Sequence, residues 1–224
     1  MRRTLRDNSL SIVFGLLFLL ALAGQAAAGQ AAYNNEQVAH GLATVSVVEY
    51  VTSADYAVDI AENWQSEYLQ FLLYILLTIW LIQRGSPESK VPGLEGRETD
   101  ERQRLGRHTT ADSPRLARVG GLRTKLYSRS LGLVMGAIFV GSWTAQSIAG
   151  WAAYNEERIA QLQDPLSWTV YVRSADFWSR SLQNWQSEFL AIGSMVVLSI
   201  YLRERGSPES KPTGSSHHVT GVEG

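Results

Sequence analysis

The chain has 224 residues and no cysteine. That absence excludes disulfides, thiolate metal sites and a cysteine nucleophile, so any part outside the cytoplasm must hold together by helix packing. Histidine is scarce as well. His40, His108, His217 and His218 all lie outside the apolar runs, which argues against a haem or zinc centre buried in a membrane. Net charge is also lacking: 20 Lys and Arg stand against 21 Asp and Glu. A balance of that kind singles out no nucleic-acid partner.

Such averages describe an ordinary soluble domain only until the order of the residues is followed. Long apolar runs sit beside a polar stretch, residues 84–127, that is rich in Arg, Glu, Gly and Thr and has no helix-length apolar period. This segregation reads as membrane spans joined by a polar linker.

The phrase NWQSEYL at 63–69 returns as NWQSEFL at 184–190, and RGSPESK at 84–90 returns unchanged at 205–211. Both recurrences share one offset of 121, and residues 9–90 align with 130–211 without a gap. Roughly 36 of about 82 aligned positions are identical, far more than unrelated segments share. Gln25, Gly29, Tyr33 and Asn34 reappear as Gln146, Gly150, Tyr154 and Asn155, and Ser53 and Asp55 as Ser174 and Asp176. Identities gathered in polar and small residues are no by-product of shared hydrophobicity, so the pattern reads as an internal tandem duplication.

Each copy carries two apolar runs, and about 20 helical residues cross the hydrocarbon of a bilayer. The expected organisation is a first repeat over 1–90 with spans near 10–32 and 66–83, then a disordered cytoplasmic linker over 91–126. A second repeat follows over 127–211 with spans near 131–153 and 187–203, then a disordered tail over 212–224. Arg2, Arg3 and Arg6 before an apolar stretch ending in Ala26-Ala27-Ala28 also outline a cleavable signal peptide. The aligned internal copy keeps the same Gln, Gly, Ala-Ala and Tyr positions, which favours retention of this segment as a span.

With the N-terminus inside, Arg2, Arg3, Arg6, the basic residues of 84–129, Arg203, Arg205 and Lys211 are all cytoplasmic, and only Arg158, Arg173 and Arg180 are not. The segment 33–67 contains no Lys or Arg. This is a positive-inside pattern with both termini in the cytoplasm. Two spans per copy would give the repeats one shared orientation, unlike the inverted repeats of many transporters.

Depth along the spans brings Gln25, Asn63, Trp64 and Glu67 to similar height near the outer boundary, and likewise Gln146, Asn184, Trp185 and Glu188. These eight residues are the candidate polar cluster. Gln25, Gly29 and Tyr33 recur every four residues on one helix face, where Gly29 permits close helix approach. The plainer reading is that Trp anchors at the interface, Gln bonds between helices and Glu faces headgroups. The sharper one is an ion, proton or ligand site.

Segments of about 34 residues between spans are too long for tight turns and should contain short helices. Ser53 and Ser174, each followed two residues later by an acid, read as helix N-caps opening a helix that runs through NWQSE. In RGSPESK, Gly85 and Gly206 suit helix C-caps and Pro87 and Pro208 a stop, a plainer reading than a phosphoserine-proline site. The linker end nearest the third span is basic enough to rest on anionic headgroups.

In the doubled NWQSE[YF]L, the RGSPESK phrase and the Gln-x3-Gly-x3-Tyr-Asn pattern, the chain resembles a family of small bacterial integral membrane proteins known as a domain of unknown function. The resemblance covers nearly all of the chain except linker and tail. It implies a bacterial inner-membrane protein and supplies no activity, cofactor or catalytic residue.

The expectation is an all-α membrane protein of four transmembrane helices, built as two tandem two-helix repeats with short helices in the extracytoplasmic loops. The leading function is a non-enzymatic envelope scaffold, sensor or partner-binding protein, with no cofactor or metal and with no catalytic residue named. Partners would be the lipid bilayer and a second copy or an envelope protein, with no nucleic acid. The alternative is a small cation- or proton-coupled transporter or channel using Glu67 and Glu188. An intramembrane enzyme ranks third, because the spans lack a His, Cys or paired-carboxylate constellation.

Overall fold

The computed structural model describes residues 2–222, without the side chains of Arg2 and Arg3. The side chains of two basic residues counted for orientation, and the last two positions of the tail, therefore lie outside what is described. Among the described residues the fold is helical and has no strand. Its elements are α1 (Arg2–Asp7), α2 (Ser9–Ala39), α3 (Val47–Val51), α4 (Ala54–Leu77), a 3-10 turn at Gly106–His108, α5 (Arg115–Arg118), α6 (Gly121–Tyr127), α7 (Ser130–Ala160), α8 (Trp168–Tyr171) and α9 (Ala175–Tyr201).

The long helices begin where local chemistry starts them. Ser174 caps α9, its side chain accepting the Phe177 N–H at 3.3 Å, and Ser53 accepts the Tyr56 N–H at 3.3 Å at the head of α4. Both helices then run unbroken through NWQSE. Helices α2 and α7 open at Ser9 and Ser130, α3 and α8 at Val47 and Trp168, and α4 and α9 at Ala54 and Ala175, all in the register of the sequence repeat.

Two helices, α2 and α7, are long and apolar enough to cross a membrane. Four spans were expected, and α4 and α9 do not reach that measure. For α4 the reason is its end. The apolar run continues to Ile82, but the helix stops at Leu77, where the Ile79 and Trp80 N–H groups turn to the carbonyls of Leu76 and Leu77, three residues back. Only 11 helical residues remain from Glu67 to Leu77, roughly half of what a bilayer needs. Helices α2 and α7 instead run past the expected ends at 32 and 153, to Ala39 and Ala160.

The chain forms two compact units. One holds Met1–Ala61 and Ala145–Val172, the other Glu62–Thr144 and Arg173–Gly224. In the first, tyrosine rings form the centre: Tyr50 lies 5.6 Å from Tyr33 and 5.3 Å from Tyr56, and Tyr154 lies 5.5 Å from Tyr171. The apolar window of α2 has no buried residue, whereas α7 buries Ser142, Gln146 and Gly150 at four-residue spacing along one face.

The second unit is centred on Trp143, whose ring lies 5.6 Å from Phe139, 6.1 Å from Phe177, 6.0 Å from Trp178 and 5.8 Å from Trp185. Residues 91–126, read from sequence as linker, carry the 3-10 turn, α5 and most of α6. The tail is engaged too. The ammonium of Lys211, 1% exposed, donates to the carbonyls of Gly85, Ser216, His217 and Val219 at 2.6 to 3.3 Å.

Candidate functional site

The most ordered polar constellation in the first unit is a pair of loop clamps. Asn34, on α2, accepts the Val45 N–H at 2.7 Å and donates to the Val45 carbonyl at 2.9 Å. Gln30, one turn earlier, donates to the same carbonyl at 2.8 Å. On α7, Asn155 accepts the Leu166 N–H at 2.8 Å and donates to the Leu166 carbonyl at 2.9 Å, while Trp151 donates to that carbonyl at 2.7 Å. Each asparagine thus satisfies both backbone groups of one loop residue that cannot reach a helical partner.

A tyrosine from the following short helix closes each clamp. Tyr50, on α3, is 4% exposed and presses its hydroxyl edge onto Gly29, where a methyl group would overlap it. Tyr171, at the end of α8, stands in the same relation to Gly150. Burial raises the Tyr50 hydroxyl pKa, and the Asp59 and Asp55 carboxylates push it the same way. The glycines of the Gln-x3-Gly-x3-Tyr-Asn pattern therefore admit a tyrosine from the adjoining loop. Sequence spacing had suggested a helix packed at that position.

The two loops differ in how their short helices start. Ser46 and Glu49 form a reciprocal capping box on α3, Glu49 accepting the Ser46 N–H at 2.6 Å. That bond, with the Ser46 side chain adding to it, holds the Glu49 carboxyl below the ordinary glutamate range. At the matching position the second loop has Val170. It is braced instead by Arg158, which donates to the Asp164 carbonyl at 2.8 Å. Ser-x-x-Glu was a readable signal for the first cap. Gln30 and Trp151 left no such signal, because unlike residues make the same bond.

The eight cluster residues are divided between the units. Gln25, half-buried, and Gln146, fully buried, belong to the first; Asn63, Trp64, Glu67, Asn184, Trp185 and Glu188 belong to the second. Within the second, Glu67 and Glu188 stand within Coulombic reach of each other. Trp185 donates to Gln65, a residue of the first NWQSE outside the cluster, at 2.7 Å. Asn63, Trp64 and Glu67 are exposed while Gln65 and Ser66 are buried; in the second copy Gln186 and Ser187 are exposed and Asn184, Trp185 and Glu188 are half-buried. Nearby, Arg180 on α9 bridges Glu62 at 3.2 Å and Asp176 at 3.4 Å.

RGSPESK folds the same way in both copies. Gly85 and Gly206 adopt φ of 91° and 86°, which favours glycine, and Ser89 and Ser210 accept the N–H groups of Gln83 and Glu204 at 2.8 and 3.0 Å. Ser86 is 2% exposed, which seats it for structure rather than for modification. Lys90 pairs with Glu98 at 3.0 Å, and with Arg102 holds the Glu98 carboxyl below its ordinary range. Among the described residues no group of three or more His, Asp or Glu side chains is placed to hold a metal ion.

The family described as a domain of unknown function (DUF6766) matches residues 1–222. No curated protein and no solved structure matches the chain.

Proposed function

The chain belongs to this family of unknown function, and from that premise we propose a bacterial inner-membrane protein that works without catalysis, as an envelope scaffold or sensor whose outer loops contact a partner. One observation carries this reading. The polar residues shared by the two halves, Asn34 and Asn155 above all, are engaged in holding loop backbones at Val45 and Leu166. Rigid, exposed loop tips on an apolar stem are what a contact surface requires.

In the full proposal a tandem duplication gives four crossings. Helices α2 and α7 run outward, and α4 and α9 return the chain despite their shorter apolar parts. The support is charge: residues 84–129 are rich in Lys and Arg, and the first loop has none, so an odd crossing would leave the most basic segment outside. Both termini are then cytoplasmic. Crosslinking from residues introduced at Ala43 and Asp164, in intact cells, should recover one defined envelope partner or a second copy of the chain. Recovery of bulk membrane proteins only would defeat the scaffold reading.

One second reading is a cation or proton path that uses Glu67 and Glu188, two acids whose charges are near enough to interact. Glu67→Gln with Glu188→Gln should then abolish flux in proteoliposomes, and unchanged flux would remove it.

A further inference from the structure

We propose that α6, with the residue pair leading into α7, is a membrane-surface helix that docks on anionic lipid headgroups. The proposal rests on the membrane reading above and gives the basic end of the linker, read from sequence only as a charge run, a specific helix face. Helix α6 covers Gly121–Tyr127, and α7 begins at Ser130. One side of α6 is fixed by its own segment. Thr124 is 8% exposed, donates its hydroxyl to the Leu116 carbonyl at 2.7 Å and accepts the Gly120 N–H at 2.8 Å.

With Thr124 turned inward, the helix has no freedom about what it presents outward. Successive side chains are about 100° apart, so Leu122 and Leu126 share the face away from Thr124, and Arg129 follows in the turn that leads into α7. Leu122 is 70% and Leu126 51% exposed. Arg123 and Lys125 fall on either side of that leucine stripe, both exposed. An apolar strip flanked by long cations is the arrangement of a helix lying in a bilayer interface: the leucines enter the acyl boundary and the cations reach back to phosphate.

Charge and continuity name the occupant. From Ser113 to Asn155 there is no Asp or Glu, while Arg115, Arg118, Arg123, Lys125 and Arg129 crowd the approach to α7. Exposed Leu116 and Val119 extend the apolar surface backward. The strip ends one residue before one of the two helices able to cross a membrane, so a bilayer that receives α7 lies within reach of α6. An acidic protein would match the cations but not this position beside a span. Each cation near an anionic surface favours docking about fivefold.

The test uses the full chain with Leu122→Cys, a unique thiol in a cysteine-free protein, carrying an environment-sensitive fluorophore. It is reconstituted in vesicles of phosphatidylcholine alone or with phosphatidylglycerol. Shielding from an aqueous quencher and a blue shift only with phosphatidylglycerol, reversed by high salt and abolished by Arg123→Gln, Lys125→Gln and Arg129→Gln together, is the expected result. Equal exposure in both vesicles, or shielding produced only by added RNA or acidic protein, overturns the proposal. Carbonate extraction of the same vesicles separates the two claims. Protein that stays in the membrane with an exposed label defeats only the docking of α6, and protein that washes off defeats the membrane reading itself.

Discussion

Asn34 holds Val45 by both of its backbone groups, accepting the N–H at 2.7 Å and donating to the carbonyl at 2.9 Å across 11 residues of chain. Asn155 repeats the arrangement on Leu166. Two bonds to one residue fix its position and its rotation together, and the short helix that follows inherits that register. Asn34→Ala should destabilise the first loop by about 1–3 kcal/mol, since it leaves the Val45 N–H without a partner and the Val45 carbonyl held by Gln30 alone. Hydrogen exchange across 42–51 checks this: faster exchange there, with 161–171 unchanged, is the expected pattern.

The glycines beneath the tyrosines give a second test. Gly29→Ala places a methyl group into the Tyr50 ring edge, and Gly150→Ala does the same against Tyr171. Each should cost about 1–3 kcal/mol of thermal or chaotrope stability in detergent, as overpacking does. Gly24, on the same helix, has open space around it, so Gly24→Ala should be neutral or gain up to about 1 kcal/mol. Tyr50→Phe should relieve part of the Gly29→Ala penalty.

Acid should loosen one loop and spare the other. The Glu49 pKa lies below its unfolded value, so its capping contribution is complete above about pH 4.3 and is lost as pH falls through the depressed folded value. Val170 occupies the matching position and does not titrate. Exchange at α3 should therefore accelerate below pH 4 relative to α8, and Glu49→Gln should remove the difference. Equal acid sensitivity in the two short helices would count against the cap.

Lys211 gives a fourth test, at the other end of the chain. Lys211→Ala removes the donor shared by four carbonyls from Gly85 to Val219, and exchange across 212–221 should rise at least tenfold, about the effect of losing one net hydrogen bond. Tryptic or chymotryptic cutting in the tail should rise with it.

What was legible in the sequence was whatever depends on near neighbours. Ser53 and Ser174 act on backbone three residues away, so those caps could be read directly; Gly85 and Gly206 do sit in turns, but the helices end before them, at Leu77 and Tyr201, and neither glycine is the C-cap expected of it. The end of α4 could not be read. Hydrophobicity continues through Ile82 and carries no mark of where the backbone leaves the helix. The Gly29, Tyr33 and Asn34 pattern stood out as a repeat, but its partners Tyr50 and Val45 lie farther along the chain, and spacing on one helix suggested another helix instead.

The doubled NWQSE shows the opposite limit. Identical strings have different surroundings because the residues facing them are not duplicated: Trp143 and Trp178, which enclose Trp185, correspond to Leu22 and Ala57 in the first half. Gln65 is consequently buried and Gln186 exposed. Sequence identity located the candidate cluster and could not assign its exposure.

The most direct measurement of the central claim is thiol labelling in intact cells, made clean by the absence of native cysteine. Ala43→Cys and Asp164→Cys should react with a membrane-impermeant maleimide from outside, and Ala111→Cys only after lysis, with the protein in the membrane fraction throughout. Labelling of residue 111 in intact cells would leave only two crossings and contradict the four-helix topology, and recovery of the chain in the soluble fraction would contradict the membrane assignment.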